Sequence, residues 1–253
     1  FEVERLRETF KGSLIDTSKE INFTRAIKDS DEIKQIKTAS EITSKTFSQV
    51  PSMLEEGMTE AELSFEIEFS LRQNGATAIS YDTIAAFGAN SSLPHYESSN
   101  SKLKKSDFVL LDFAGKYNRY CSDMTRTFFF KEASREQEKI YETVLESQLL
   151  GLDALKPGVI ACEIHNAVSK FIDSTEYKGT FIHSVGHGVG LETHDVPGLG
   201  PISDYTIEEN MVLTIEPGIY IPNFGGVRIE DTVVVKKGKP EILTPFTKEL
   251  VII

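Results

Sequence analysis

The order of the predicted secondary structure, two helices followed by a pair of strands, occurs twice along the 253-residue chain. Helical patterns end at glycine or proline, and each helix pair precedes apolar runs on either side of a short turn. The two copies share little sequence, so the repeat is one of architecture. Its stretches are 30–54, 59–75 and 108–130 in the first copy, and 134–155, 161–174 and 211–235 in the second.

Antiparallel hairpins with segregated helices predict an α+β fold, in which a curved antiparallel sheet has its helices on one side. Two helix starts carry a capping-box pattern, which pairs a hydroxyl residue with Glu or Gln three positions later. The pairs are Thr59 with Glu62 and Ser134 with Gln137. Residues 1–28 are mixed and weakly periodic, like the end of a preceding unit. We therefore expect one domain over 29–253 and the tail of a separate N-terminal domain over 1–28.

The net charge limits the possible classes of binding partner, and the cysteine content indicates the cellular compartment. The formal net charge is −12, which argues against nucleic acid and anionic membrane as main partners because both require basic patches. No apolar run approaches the roughly 20 residues of a membrane span, and no secretion signal is recognisable. Cys121 and Cys162 provide no disulfide framework, so a reduced, cytoplasmic protein is expected.

An acidic residue interrupts the apolar strands of both predicted hairpins. In the first hairpin, a two-residue turn at Tyr117-Asn118 would place Asp112 of "FVLLDF" opposite Asp123. Directly opposed residues have Cβ atoms about 4.5–5.5 Å apart, and like charges at that distance are destabilising. A charge inside an apolar strand is also costly to bury, so the pair requires a neutralising group.

The second hairpin repeats this anomaly, because a centre at Asn223 would place Glu216 opposite Glu230. The ordinary explanation for one acidic strand residue is an arginine partner, and Arg126 and Arg228 are available. Four carboxylates in matched positions are better explained by cations, since two divalent ions would balance their charge. Two such ions lie roughly 3.5–4 Å apart and share a water or hydroxide nucleophile.

Three of the five histidines lie in the glycine-rich stretch "HSVGHGVGLETHD", residues 183–195. Glycine allows close backbone approach, so His187, with glycine on both sides, is the best candidate for a nitrogen ligand. His194 could reach the same cleft to hold substrate, whereas His183 is expected to have a structural or supporting role. Oxygen ligands with one imidazole suit Mn²⁺, Co²⁺, Fe²⁺ or Zn²⁺.

Five ordered motifs together resemble the proline peptidase branch of the pita-bread metallopeptidases, which contains Xaa-Pro aminopeptidases and Xaa-Pro dipeptidases. The motifs are "SSLPHY", "LLDFAG…YCSDMTRT", "HSVGHGVGLETHDVP", "TIEPGIY" and "GGVRIEDTVVV". The resemblance covers residues 30–253 and implies the pita-bread fold, with its pseudo-twofold repeat, and hydrolysis of proline-containing peptides. It also implies a separate N-terminal domain, through which or with which a homodimer could form.

The resemblance implies a centre of two divalent ions, with manganese expected and cobalt, zinc or iron as alternatives. Five side chains would hold them: Asp112, Asp123, His187, Glu216 and Glu230. In the family pattern, Asp123 and Glu230 bridge the ions and a bridging hydroxide attacks the carbonyl before proline. Glu216 would take the proton of that nucleophile.

Four further residues match substrate-binding positions of the family. His95 and His194 match the histidines that hold the substrate and stabilise the tetrahedral intermediate, and Tyr220 and Arg228 match positions near the site. The run "DVPGLGP" after His194 replaces the commoner acidic and Arg-containing run of the family. That loop borders the substrate cleft, so the resemblance leaves dipeptides and longer peptides open as substrates.

Two alternative functions remain on the same fold. A methionine aminopeptidase-like enzyme would keep the metals and change the substrate, although "LPHY" and "GGVRIED" fit that branch poorly. A non-enzymatic peptide-binding module, or a metal-free C–N hydrolase, would lack some metal ligands, whereas all five candidates are present in this chain. Metal analysis and peptide panels with and without proline at the second position distinguish these alternatives.

Overall fold

A computed structural model describes residues 2–253. Six α-helices lie in this part of the chain: α1 (Glu2–Thr9), α2 (Ser18–Ala26), α3 (Ser30–Gln49), α4 (Glu60–Gln73), α5 (Arg135–Ala154) and α6 (Ala161–Asp173). The strands of the first half are β1 (Ala78–Ile79), β2 (Ile84–Phe87), β3 (Phe108–Asp112), β4 (Gly115–Tyr117), β5 (Tyr120–Cys121) and β6 (Thr125–Phe129). Those of the second half are β7 (His187–Gly188), β8 (Asp195–Gly198), β9 (Val212–Ile215), β10 (Gly218–Ile221), β11 (Gly225–Arg228), β12 (Asp231–Val234) and β13 (Glu241–Ile242).

The four long helices α3 to α6 lie where the sequence pattern predicted them, two before each hairpin. Both predicted capping boxes are present. At the start of α4 the Glu62 carboxylate accepts a hydrogen bond from the backbone N–H of Thr59, and at the start of α5 Ser134 and Gln137 pair in the same way. The predicted helix–helix–hairpin repeat of an α+β fold is confirmed.

No helix within residues 2–253 has an apolar stretch long enough to cross a membrane.

The segment before residue 29 contains the helices α1 and α2, and its last residues contact the rest of the chain. Phe1, part of the predicted tail over 1–28, lies outside the described residues. Ile27 forms an isolated antiparallel bridge with Met211, and the backbone N–H of Lys28 donates to the carbonyl of Asn210 at 3.0 Å. The last residues of this segment are therefore tied to the second half of the fold, and the domain boundary at residue 28 stays a prediction.

The first hairpin has a different register from the one predicted. Asp112 pairs with Thr125 in the β3–β6 ladder, and Tyr117 pairs with Tyr120 across the turn. The turn residues are therefore Asn118 and Arg119, which both have positive φ, 46° and 76°. Two-residue hairpin turns of this kind require positive φ at both central positions, because only then does the turn twist match the strands. The predicted turn at 117–118 is wrong, and Asp112 does not lie directly opposite Asp123.

The second hairpin has the predicted register. Gly218 pairs with Arg228 in the β10–β11 ladder, and Ile215 pairs with Asp231 in the β9–β12 ladder. Both ladders have the same alignment, so Glu216 and Glu230 lie opposite each other where the two ladders meet. Each hairpin consists of two ladders, one next to the turn and one further from it. In both hairpins the candidate carboxylates lie where these two ladders meet.

Each helix pair packs on one face of its own hairpin, and the acidic residues occupy the other face. One apolar cluster combines α3 and α4 with alternate residues of β3 and with Phe128 of β6, and a second combines α5 and α6 with alternate residues of β9 and with Val233 of β12. Because successive strand residues point to opposite faces, the positions between these core residues face away from the helices. Those positions include Asp112, Asp123, Glu216 and Glu230.

Candidate metal centre

A cavity of about 520 Å³ opens on the sheet face that the helices leave free. Eight of the nine side chains predicted for the site line this cavity. They are His95, Asp112, Asp123, His187, His194, Glu216, Arg228 and Glu230. The ninth, Tyr220, is buried behind them, and its hydroxyl accepts a hydrogen bond from Arg228 at 2.9 Å. The fold thus brings residues from both halves of the chain to one place.

Three of the predicted ligands form a compact group. Asp123, His187 and Glu230 each offer one ligand atom, and these atoms lie within 4.8 Å of one another. His187 Nε2 lies 3.6 Å from Asp123 Oδ2 and 3.3 Å from Glu216 Oε1. Its other ring nitrogen, Nδ1, lies 3.0 Å from the carbonyl oxygen of Gly188. A proton on Nδ1 therefore leaves the Nε2 lone pair directed at the carboxylates, which is the arrangement of a metal-ligating histidine.

The carboxylates in this group repel one another strongly. Burial, and after it the charge of Asp112, raises the pKa of Asp123 to about 8. Burial and the charge of Asp123 raise the pKa of Glu230 well above its usual value. Burial lowers the pKa of His187, but Glu216 and Asp123 outweigh this effect and the net pKa is raised. Each shift has the direction that a site with too much negative charge would produce.

An arginine neutralises one of the four acids. Arg228 Nη2 donates to Asp112 Oδ2 at 2.6 Å, with both side chains largely buried. Arg126, the other arginine considered as a partner, instead pairs at 2.7 Å with Asp231 on the helix-facing side. Within residues 2–253, Asp123, Glu216 and Glu230 have no lysine or arginine at ion-pair distance. The explanation by arginine partners therefore covers Asp112 alone.

This donor set fits divalent cations. Carboxylate oxygens from four residues and one imidazole nitrogen suit first-row divalent ions. Burial, and after it the charge of neighbouring carboxylates, raises the pKa values of Asp123 and Glu230, and bound positive charge would favour the ionised form of both. The cavity is therefore a candidate site for divalent metal ions.

Comparison with known proteins assigns the family. The sequence model of metallopeptidase family M24 matches residues 34–237. The chain belongs to metallopeptidase family M24. An Xaa-Pro dipeptidase from Pyrococcus furiosus is 41% identical over 226 residues, which cover 89% of this chain and 65% of that protein. The metallopeptidase thus spans about two thirds of the length of this curated relative.

Solved structures support the same family and the same fold. An Xaa-Pro dipeptidase from Bacillus anthracis superposes with a TM-score of 0.94 at 42% identity, covering 98% of this chain and 70% of that one. An X-Pro aminopeptidase from Thermotoga maritima superposes equally well, with a TM-score of 0.94 at 35% identity and coverage of 99% and 72%. The metallopeptidase has the pita-bread fold that its motifs predicted.

The predicted substrate-binding histidines of the metallopeptidase lie at the mouth of the cavity. The His194 ring is centred 4.2 Å from the His187 ring, and both His194 and His95 are exposed. His183 lies deeper, where its Nε2 is 2.8 Å from the Tyr220 hydroxyl, and burial lowers its pKa. His183 thus supports Tyr220, in line with the supporting role expected from the sequence.

Sequence reasoning missed Tyr81, which lies between two carboxylates. Its hydroxyl is within hydrogen-bond reach of both Asp112 Oδ1 and Asp123 Oδ1. Burial, and then the charge of Asp112, raises the pKa of Tyr81 well above its usual value, so the phenol keeps its proton and donates it. No local pattern marks this residue, because its partners are 31 and 42 positions away in the chain.

Two threonines beside the candidate ligands were also missed, although a local signal marks one of them. The Thr125 hydroxyl donates to Glu230 Oε2 at 2.7 Å, and the Thr214 hydroxyl donates to Glu216 Oε1 at 3.1 Å. Thr214 precedes Glu216 by two residues, and strand residues two apart share a face. A threonine two positions before an acidic residue at the end of an apolar strand would therefore have pointed to Thr214.

Proposed function

We propose that this metallopeptidase is a dinuclear enzyme that hydrolyses the peptide bond before proline, either in Xaa-Pro dipeptides or at the N-terminus of longer peptides. The observation that carries the proposal is the convergence of Asp123, His187 and Glu230 within 4.8 Å in a cavity. The substrate comes from the relatives, which are an Xaa-Pro dipeptidase and an X-Pro aminopeptidase. An Xaa-Pro bond is a tertiary amide without an N–H, which explains why a dedicated enzyme would be needed.

The five predicted ligands are assigned to two divalent ions, with manganese expected and cobalt, zinc or iron as alternatives. They are Asp112, Asp123, His187, Glu216 and Glu230. When bound, such ions supply a Lewis acid and a hydroxide nucleophile at neutral pH. Asp123 and Glu230 would be the ligands shared by both ions, because both are almost completely buried and the charge of Asp123 raises the pKa of Glu230.

The remaining chemistry is assigned to the protein's own side chains. Glu216 accepts the proton of the attacking nucleophile and passes it to the departing proline nitrogen, while the Thr214 hydroxyl orients its carboxylate. His95 and His194 face the cavity from two different loops, where they can donate hydrogen bonds to the carbonyl oxygen as it gains negative charge. Arg228 donates hydrogen bonds to Asp112 and Tyr220 and thereby holds these two side chains in position.

The test is hydrolysis of a matched peptide panel by protein reconstituted with Mn²⁺. Peptides with proline at the second position should be cleaved, and the same peptides with alanine there should not. Cleavage of Met-Ala peptides instead would indicate the methionine aminopeptidase alternative. Bound metal without any hydrolysis would favour a binding module, and dimerisation with a preceding domain stays a prediction.

Variants of the candidate site separate the assigned roles. Asp123→Asn and Glu230→Gln should abolish hydrolysis and reduce the metal content measured by elemental analysis, because each serves both ions. His95→Ala should retain the metals and lose turnover. Wild-type turnover in the His95 variant would contradict its assignment to the substrate, and wild-type metal content in both acidic variants would contradict the bridging assignment.

A further inference from the structure

The loop that carries His95 has little regular secondary structure. It comprises residues 88–101, called here the His95 loop, and it connects β2 to the segment before β3 with one short 3-10 turn at Gly88–Ser92. His95 is exposed, and in the described part of the chain its imidazole makes no hydrogen bond to another residue. Its position in the cavity therefore depends on what fixes the backbone of the loop.

A single carboxylate outside the cavity collects hydrogen bonds from both sides of His95. Glu60, in the first turn of α4, is completely buried. Five donors reach its two oxygens. They are the backbone N–H of Phe87 at 2.8 Å and Asn90 Nδ2 at 2.9 Å on Oε1, with the Tyr96 hydroxyl at 2.9 Å, the Ser99 N–H at 3.1 Å and the Ser99 hydroxyl at 2.8 Å on Oε2. Two of the donor residues precede His95 and two follow it.

These hydrogen bonds take the place of a counter-charge. A buried carboxylate without a cation is costly unless donors satisfy its oxygens, and Glu60 has no ion pair with any residue between 2 and 253. Movement of any of these donors would leave part of the buried carboxylate without a hydrogen bond, which costs free energy. The helix end adds two further links, since the N–H groups of Glu60 and Ala61 donate to the carbonyls of Ser101 and Ser99 at 3.1 and 2.9 Å.

The other side of the loop is anchored inside the candidate site. Ser91 Oγ accepts from the N–H of Gly226 in β11 at 2.8 Å, and the carbonyl of Pro94 accepts from Arg228 Nη1 at 3.4 Å. The loop is thus held between Glu60 on one side and the strand carrying Arg228 on the other. Removal of the Glu60 side-chain contacts would leave the residues next to His95 without their link to α4, because the remaining backbone links to this helix lie further along the loop at Ser99 and Ser101.

We infer that Glu60 is a positioning residue for peptide hydrolysis, which fixes the His95 loop so that the imidazole meets the substrate carbonyl. This inference rests on the proposed function for the role of His95, and it assigns no contact between Glu60 and substrate or metal. Misplacement of a group that acts on the transition state by about 1 Å costs on the order of 100-fold in rate. A loosened His95 loop should therefore lower kcat more than it raises KM.

The test is Glu60→Gln in the metal-reconstituted protein. Whichever oxygen the amide NH₂ replaces, it faces a backbone N–H, that of Phe87 or that of Ser99, from which it cannot accept a hydrogen bond. We expect kcat on Xaa-Pro peptides to fall about 10- to 100-fold, with the metal content unchanged and faster amide hydrogen exchange in residues 88–101. Glu62→Gln is the matched control in the same helix, because glutamine serves a capping box as well as glutamate does. It should leave kcat and exchange in the loop at wild-type values.

A double-mutant cycle with His95→Ala distinguishes positioning of this histidine from general damage. If Glu60 acts through His95, Glu60→Gln should change the residual rate of the His95→Ala protein by less than about twofold. The same factor in both backgrounds would overturn the inference, and so would unchanged exchange in residues 88–101. If Glu60→Gln does not fold, Ser99→Ala, which removes one of the five donors, should give the same pattern at smaller size.

Failure of the proposed function would look different. Wild-type protein that binds Mn²⁺ but cleaves no Xaa-Pro peptide would refute the substrate. Faster exchange of residues 88–101 in Glu60→Gln would then still support the anchoring of the loop, and unchanged exchange would refute it.

Discussion

The free energy of unfolding of the metal-free protein should fall as the pH rises from 5 to 7, and Asp123 should account for a defined share of that fall. Burial and the charge of Asp112 raise the pKa of Asp123 to about 8, whereas an unfolded aspartate titrates near 3.9, roughly. Between these values the folded carboxyl keeps a proton that the unfolded one has released. A raised folded pKa therefore contributes stability below the unfolded pKa, and this contribution is lost as the pH rises to the folded pKa.

The magnitude follows from one proton. One proton contributes about 1.4 kcal/mol per pH unit, so the Asp123 contribution between pH 5 and 7 is about 3 kcal/mol. Only 4% of Asp123 is exposed, so solvent screening reduces this figure little. Asparagine at position 123 has no proton to release. The free energy of unfolding of Asp123→Asn should therefore depend on pH less steeply than that of wild type, by about 1.4 kcal/mol per unit.

Urea unfolding in the presence of a chelator at pH 5, 6 and 7 measures both slopes. Asp231→Asn is the control, because burial raises the pKa of Asp231 but Arg126 and Lys248 outweigh it and the net pKa is lowered. Asp231 thus titrates below this pH range, and its variant should keep the wild-type slope. Parallel curves for wild type and Asp123→Asn would refute the reasoning. Saturation of wild type with Mn²⁺ should remove or reverse the fall, because metal ligands bind in their deprotonated form.

Three further perturbations test the surroundings of the site. Asp231→Asn should lower the free energy of unfolding by about 3–5 kcal/mol, since the completely buried Arg126 loses its counter-charge; a loss below about 1 kcal/mol in urea unfolding would contradict this. Gly186→Ala should lower the free energy of unfolding by roughly 1–3 kcal/mol in the same assay, because the added Cβ would lie 2.0 Å from the carbonyl oxygen of Thr214. Wild-type stability of this variant would show that the backbone moves to make room for the methyl group. Tyr81→Phe should weaken Mn²⁺ binding, measured by calorimetry, about 10-fold or more, because it removes the donor to two carboxylates. An unchanged affinity would show that the phenol orients neither ligand.

The helices were predictable because their signals are local. The capping boxes at Thr59 and Ser134 depend on residues three positions apart, and the apolar spacing of α3 to α6 depends on neighbours three or four apart. The second hairpin was also predictable, since its register is symmetric about Asn223. The family itself followed from ordered motifs, which the match over residues 34–237 confirms.

The turn of the first hairpin was predicted one residue too early, and contacts with α3 accompany the observed turn. Asn118 and Arg119 have positive φ, although arginine gives no local reason to expect it. The Asn118 side chain donates to Gln35 of α3 at 2.9 Å, and Tyr120 donates to Glu32 of the same helix at 3.0 Å. These contacts with α3 accompany a turn that is shifted by one residue from the predicted one.

By itself, the sequence determined the family, the helix pairs and the residue types that could bind metal, because each is encoded in short patterns along the chain. Only the tertiary structure decided that Arg228 neutralises Asp112 and no other of the four acids, that Tyr81 joins two carboxylates and that Glu60 supports the His95 loop. The physical reason is that charge balance and hydrogen-bond satisfaction in a buried site depend on distances between residues far apart in the chain. Those distances exist only once both halves have packed.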